Sequence, residues 1–252
     1  MNQVATTIDT NNFAAMAQAM GMNAESTSKA SKASTLARLR IHHTPIMGQE
    51  EIKGKIKNIE VIGGGAYKLE IPDGLTYYAE GVTIRPFLQR FMYKKFIKGN
   101  DSTPNRFLKT VMANDLNNDM KDNEGGFNCG KPAGFIQDWA ALPDTMKELI
   151  KSIKRVRSLF GIVELINPTD DKGNPVSIDA TPFIWEIDNR DAFKTMGEQF
   201  TKLTKMRRLP PQHNMALTTR EVPLPNGSSF FVPEAELDLG TTLEMDNDAQ
   251  EV

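Results

Sequence analysis

The chain has little of what several function classes need. Its one cysteine, Cys129, excludes an internal disulfide framework and points to a reducing compartment. Without a partner cysteine, and with only Lys131 as a basic neighbour, it reads as a small packed side chain and not a nucleophile. Three histidines, His42, His43 and His213, leave few ligands for a zinc site. His42 and His43 are adjacent on an expected strand, where their rings point to opposite faces. Long apolar runs are missing too. Phe13 to Met22 is too short to span a bilayer and lacks a preceding positive segment, so no membrane is expected as a partner and the expected location is cytoplasmic. Positive charge is absent from one whole stretch. From Glu234 to Val252 there are Glu234, Glu236, Asp238, Glu244, Asp246, Asp248 and Glu251, with no Lys or Arg.

Taking those seven acids out of a net charge of −2 leaves +5 on residues 1–233. A near-neutral whole is therefore a basic body joined to an acidic tail. A basic body attracts polyanions, and a tethered acidic end can compete for the same surface. With 39% hydrophobic and 25% charged residues the chain suits one good core or two small ones.

Residues 1–35, rich in Ala, Ser, Thr, Asn and Met, read as a flexible arm with room for a short helix at 12–20. From Leu36 the pattern is one of strands, expected at 36–41, 52–62, 67–71, 76–79, 82–97 and 106–112, with Gly63-Gly64-Gly65, Pro72-Asp73-Gly74 and Gly81 as turns or bends. Residues 115–134 read as a long loop. A helix follows Pro143, over 144–154, then strands at 156–166 and 182–187. A second helix, capped by Asp188 or Asn189, should end before Pro210-Pro211, with strands at 215–222 and 228–232 beyond it. The expected class is mainly β with a few helices, an elaborated OB-type β-barrel over 36–233, between a flexible arm at 1–35 and an acidic tail at 234–252.

The stretch from Val82 to Ile97 carries the strongest chemical signal. Alternation puts Val82, Ile84, Pro86, Leu88 and Met92 on one face, broken by Arg90, and Thr83, Arg85, Phe87, Gln89, Phe91, Tyr93 and Lys95 on the other. Rings interleaved with cations suit stacking on unpaired bases while phosphates are neutralised. The competing reading is an amphipathic strand whose rings pack under a helix. Arg85, Arg90, Lys94, Lys95, Lys98, Arg106 and Lys109 face a single acid, Asp101, within residues 85–109. Arg155 and Arg157 lie in a second basic cluster and Arg207 and Arg208 in a third, and all are candidate phosphate contacts.

No catalytic or metal site is expected. The acids of 115–130 lack the order of an EF-hand loop, and the triple glycine lacks the helix and the Lys-Ser/Thr of a phosphate loop. Glu60, Glu70, Asp73 and Glu186 are the carboxylates from which a nuclease site would have to be built, without favourable spacing. No cofactor is expected.

With Arg85, Phe87, Phe91, Tyr93 and Lys95 as a platform and Glu234 to Val252 as a tail, the organisation resembles the single-stranded-DNA-binding proteins of tailed-bacteriophage replication systems. That resemblance implies non-catalytic, sequence-tolerant coating of single-stranded DNA in replication or recombination, in the host cytoplasm, with RNA as an alternative ligand. It also implies a tail that competes with DNA and recruits replication proteins, commonly through acids followed by a terminal aromatic. Here the sequence reads Ala249-Gln250-Glu251-Val252, without the aromatic. Lys29 and Lys32, among Ser and Thr, are similar to the basic arms by which some such proteins self-associate. A virion or scaffold component and a replication-associated nuclease are the alternative functions.

Overall fold

The computed structural model describes residues 36–52, 54–117, 121–125, 140–224 and 227–244. The arm and its helix, Cys129, and Asp246, Asp248 and Glu251 lie outside the described residues, as does much of the expected 115–134 loop. Among the described residues the order is β1 (Ala37–Ile41), β2 (Ile46–Ile52), β3 (Lys55–Ile62), β4 (Tyr67–Glu70), β5 (Thr76–Ala79), β6 (Gly81–Ile97), β7 (Arg106–Lys109), α1 (Asp144–Ser152), β8 (Ile153–Ile166), β9 (Thr181–Ile187), α2 (Arg190–Lys205), β10 (Met215–Pro223) and β11 (Ser229–Leu237). The chain is mainly β, as its alternating runs imply.

The hydrogen-bonded order is β11-β10-β6-β8-β9-β1-β4-β5, with β7 on β6 and a separate β2–β3 pair. This ladder is open, because β11 and β5 end it without pairing to each other. The expected single domain divides into two compact units. The first holds the described residues of 1–88, 160–185 and 194–252, and the second holds 89–159 and 186–193. Strands β6, β8 and β9 and helix α2 contribute residues to both.

In the first unit β1 alternates as its sequence does, with Ala37 and Leu39 buried and Arg38 and Arg40 exposed. It runs antiparallel to β4 and parallel to β9. Tyr67 and Leu69 of β4 are fully buried, and the Tyr67 hydroxyl donates to the Thr218 carbonyl at 3.0 Å. Helix α2 buries Met196, Phe200 and Leu203, one face of a 3.6-residue period. Gly161 of β8 is required by close approach, since a Cβ there would lie 2.1 Å from the Arg85 carbonyl oxygen. The run expected as one strand at 52–62 is the second arm of a hairpin whose turn holds Gly54 at φ +74°.

In the second unit the end of β6 pairs antiparallel with β7, from Lys94 opposite Lys109 to Ile97 opposite Arg106. Tyr93 and Leu108 are buried there, packed by Ile97, Leu116 and Ile153. Helix α1 starts after Pro143 as expected, yet buries none of its residues, and its Met146 and Leu149 are exposed. Strand β8 follows it directly.

Candidate nucleic-acid interface

Alternation along β6 is the first thing the structure revises. Gly81, Val82, Ile84, Arg85 and Pro86 are all buried, so this part of the strand is covered on both faces instead of offering a platform. In the second unit the odd-numbered face, expected to meet the ligand, is the core face. Tyr93 is 3% exposed and its hydroxyl donates to the Leu116 carbonyl at 2.8 Å. The even-numbered face buries Met92, at 2% exposed and core-facing as expected, and turns outward only at Phe96. Phe96 and Phe107 stand opposite each other across β6 and β7, each 48% exposed, with ring centres 5.2 Å apart at 56°. Lys94 and Lys109, the pair two residues along, share that face. The Lys94 ammonium lies 4.9 Å from the centre of the Phe107 ring.

These lysines are not bare. Both Lys109 contacts to the Glu186 carboxylate are 2.9 Å, and Asp188 takes Lys94 at 3.0 Å and Lys154 at 3.5 Å. Burial pushes the Asp188 carboxyl up, but the Lys94 hydrogen bond and the Lys94 and Lys154 charges together outweigh it and hold the group below the usual carboxylate range. Nearby, Lys98 is exposed, Lys95 half-buried, and Arg106 is paired with Glu124. Arg90 is half-buried and donates to the Gln89 carbonyl.

Arg155 and Arg157 of β8 flank Phe193 at the start of α2, at 5.6 and 4.6 Å from its ring centre. Arg157 also lies 4.9 Å from the Phe91 ring and donates to the Gln89 side chain. Burial lowers its pKa to about 10, still far above neutrality, so it stays charged between two rings. Arg155 remains exposed. Phe91 is thus half-covered by Arg157 and Phe193, not open for stacking.

The remaining expected residues belong to the first unit, where Arg85, Phe87 and Arg208 are used internally. Arg85 is 8% exposed and donates to the Pro211 carbonyl at 2.7 Å and the Glu244 carbonyl at 3.1 Å. Phe87 packs against Leu36 and Phe160. Arg208 donates to the Leu239 carbonyl at 3.0 Å, while Arg207, at φ +55°, is exposed at the end of α2. The acidic tail begins later than 234, because Glu234 and Glu236 are exposed residues on β11. Asp238 caps a turn by accepting from the Gly240 and Thr241 amides, and His213, fully buried, meets the Asp238 and Thr241 carbonyls through Nδ1. Residues 238–244 are therefore strapped onto the body by Arg85, Arg208 and His213, and Glu244 lends the strap its carbonyl.

The sequence reading did not place Phe96, Phe107 or Phe193 in the site, and considered Glu186 only as a nuclease carboxylate and Asp188 only as a helix cap. The available signal was the Lys94-Lys95-Phe96 run with Phe107 across a short turn, which a hairpin register would have joined. Of the four carboxylates considered for a nuclease, Glu186 is engaged by Lys109, Glu70 by Arg40 and Lys68, and Asp73 by the Leu75 amide, while Glu60 is exposed on the β2–β3 hairpin. No group of three or more His, Cys, Asp or Glu that could hold a metal occurs among the described residues. Among them, too, no helix is long and apolar enough to cross a membrane. A cavity of about 560 Å³ in the first unit is lined by Gly63 to Ala66, Tyr78, Asn167 and Phe231, with no Lys or Arg in its wall. No protein-family model, curated protein or solved structure matches this chain.

Proposed function

We propose that the chain binds single-stranded nucleic acid without catalysis and with little sequence preference, DNA in the first place, in replication or recombination. The observation that carries the reading is the Phe96–Phe107 pair, two half-exposed rings side by side with Lys94 and Lys109 on the same face. Exposed aromatic surface is unfavourable in water unless a ligand covers it, and every base offers a π-face to stack on. Lysines one step along the strands suit the phosphates that accompany stacked bases. Arg155, Lys98 and Arg106 add exposed cations in the same unit. With Glu234, Glu236, Asp238 and Glu244 held on the body, residues 1–244 carry a net charge of +1 and three acids, Asp246, Asp248 and Glu251, follow, a reduced form of the charge division of phage single-strand binders that still accords with recruitment of replication proteins through the tail.

Titration of the full chain onto labelled oligonucleotides, single-stranded and duplex, with and without magnesium, tests this. The expected result is saturable, salt-sensitive binding that favours the single strand and leaves it intact. Absence of binding at low salt would favour a virion or scaffold role, and magnesium-dependent loss of DNA would favour a nuclease.

A further inference from the structure

Resting on that reading, we propose that Glu186 and Asp188 are built-in stand-ins for phosphate, occupying the lysines of the site until a strand displaces them and thereby setting its affinity. Lys94 and Lys109 are directly opposite each other on paired strands, where like charges repel. Glu186 and Asp188 are two residues apart, with buried Ile187 between them, so they leave the chain on the same side. Each neutralises one member of the lysine pair, and Asp188 also reaches Lys154. The contacts are those a phosphate would make. Carboxylate oxygens accept from the same ammonium groups at 2.9 to 3.5 Å. The Lys109–Glu186 pair is about a third exposed on both sides, at 37% and 31%, so an incoming anion can reach Lys109, whereas Lys94, at 13%, becomes reachable as the 32% exposed Asp188 moves aside. An ion pair as open to solvent as Lys109–Glu186 is weak enough for a polyanion to exchange.

The alternative is that the two acids only brace the hairpin. Replacing them by isosteric amides, Glu186→Gln and Asp188→Asn, separates the two readings when affinity for a labelled oligothymidine is measured across a salt series. The stand-in reading expects each variant to bind about two- to fivefold more tightly at low salt. The log affinity against log salt line should steepen by up to about 0.7 for each phosphate gained, and Lys109→Ala should cancel the gain of Glu186→Gln. Equal or weaker binding by variants whose urea denaturation is unchanged overturns the proposal. Side-chain carboxyl NMR of the unaltered protein gives a second measure that needs no substitution. Saturation with oligothymidine should shift the Asp188 resonance and raise its titration towards the ordinary carboxylate range, and an Asp188 signal unmoved by the strand overturns the proposal. Wild-type protein that binds no strand refutes the binding function itself, whereas wild-type binding with no gain in the amide variants refutes only the stand-in role.

Discussion

Replacing Phe96 or Phe107 separates stacking from packing. Each ring is 48% exposed, so about 100 Å² of a typical aromatic side chain is buried, equivalent to at most about 2.5 kcal/mol of stability. An alanine variant would mix that loss with any loss of binding. Leucine is the sharper perturbation, because it keeps most of the apolar contact, at a cost below about 1.5 kcal/mol, and removes the π-face. Base stacking on one ring is worth about 1–3 kcal/mol, so Phe96→Leu and Phe107→Leu should each weaken single-strand binding by about fivefold to 150-fold. The slope of log affinity against log salt should stay nearly constant, because no phosphate contact is removed. Fluorescence anisotropy with labelled oligothymidine at several salt concentrations, beside urea denaturation of each variant, supplies both numbers. Wild-type affinity in both leucine variants would refute the reasoning, as would affinity losses that follow the stability losses.

Arg85→Ala should act on stability and not on binding. It removes a buried guanidinium from two carbonyls, for an expected loss of about 2–4 kcal/mol in urea denaturation, with the salt slope of strand binding unchanged. Truncation after Glu244 should preserve the fold and tighten strand binding at low salt, the gain shrinking as screening rises, while truncation after Pro233 should unfold the first unit because Glu234 to Leu237 pair with β10. Acid should weaken the first unit through His42. Burial, and then the Lys68 charge, lower its pKa, and its Nε2 is buried without a hydrogen-bond partner. The folded state therefore binds the proton less readily than the unfolded chain. Its stabilising contribution is complete above about pH 6.5 and is lost as pH falls through the lowered folded value. Urea midpoints on either side of pH 6.5 should differ less in His42→Gln than in the wild type.

Strand periodicity made the mainly β class legible, and β1, β4, β5 and α2 lie close to where alternation and capping place them. The candidate site was half legible. The sequence singled out β6, which carries Lys94 and Phe96, but period two says only that two faces differ, not which one meets the core. A 17-residue strand that contributes to two units is covered on both faces in the first and buries both Met92 and Tyr93 in the second, where Leu108, Leu116 and Ile153 surround Tyr93 and only Phe96, near the strand's end, is exposed. Which parity faces outward depends on β7 and on residues 186–193, distant in sequence. Arg85 shows the same limit. Its charge reads as a phosphate contact until the carbonyls of Pro211 and Glu244, 126 and 159 residues away, account for its donors. The tail boundary moved for a related reason, since the acids Glu234 and Glu236 alternate with Ala235 and Leu237 as an exposed face of β11.

Photocrosslinking tests the central claim most directly, because it reports where a strand lies as well as whether it binds. Oligonucleotides carrying iodouracil, irradiated with the full chain and mapped by mass spectrometry, should yield adducts on Phe96 and Phe107, abolished by excess unlabelled single strand and reduced little by duplex. Adducts confined to the first unit, or none under conditions of saturating binding, would contradict the account.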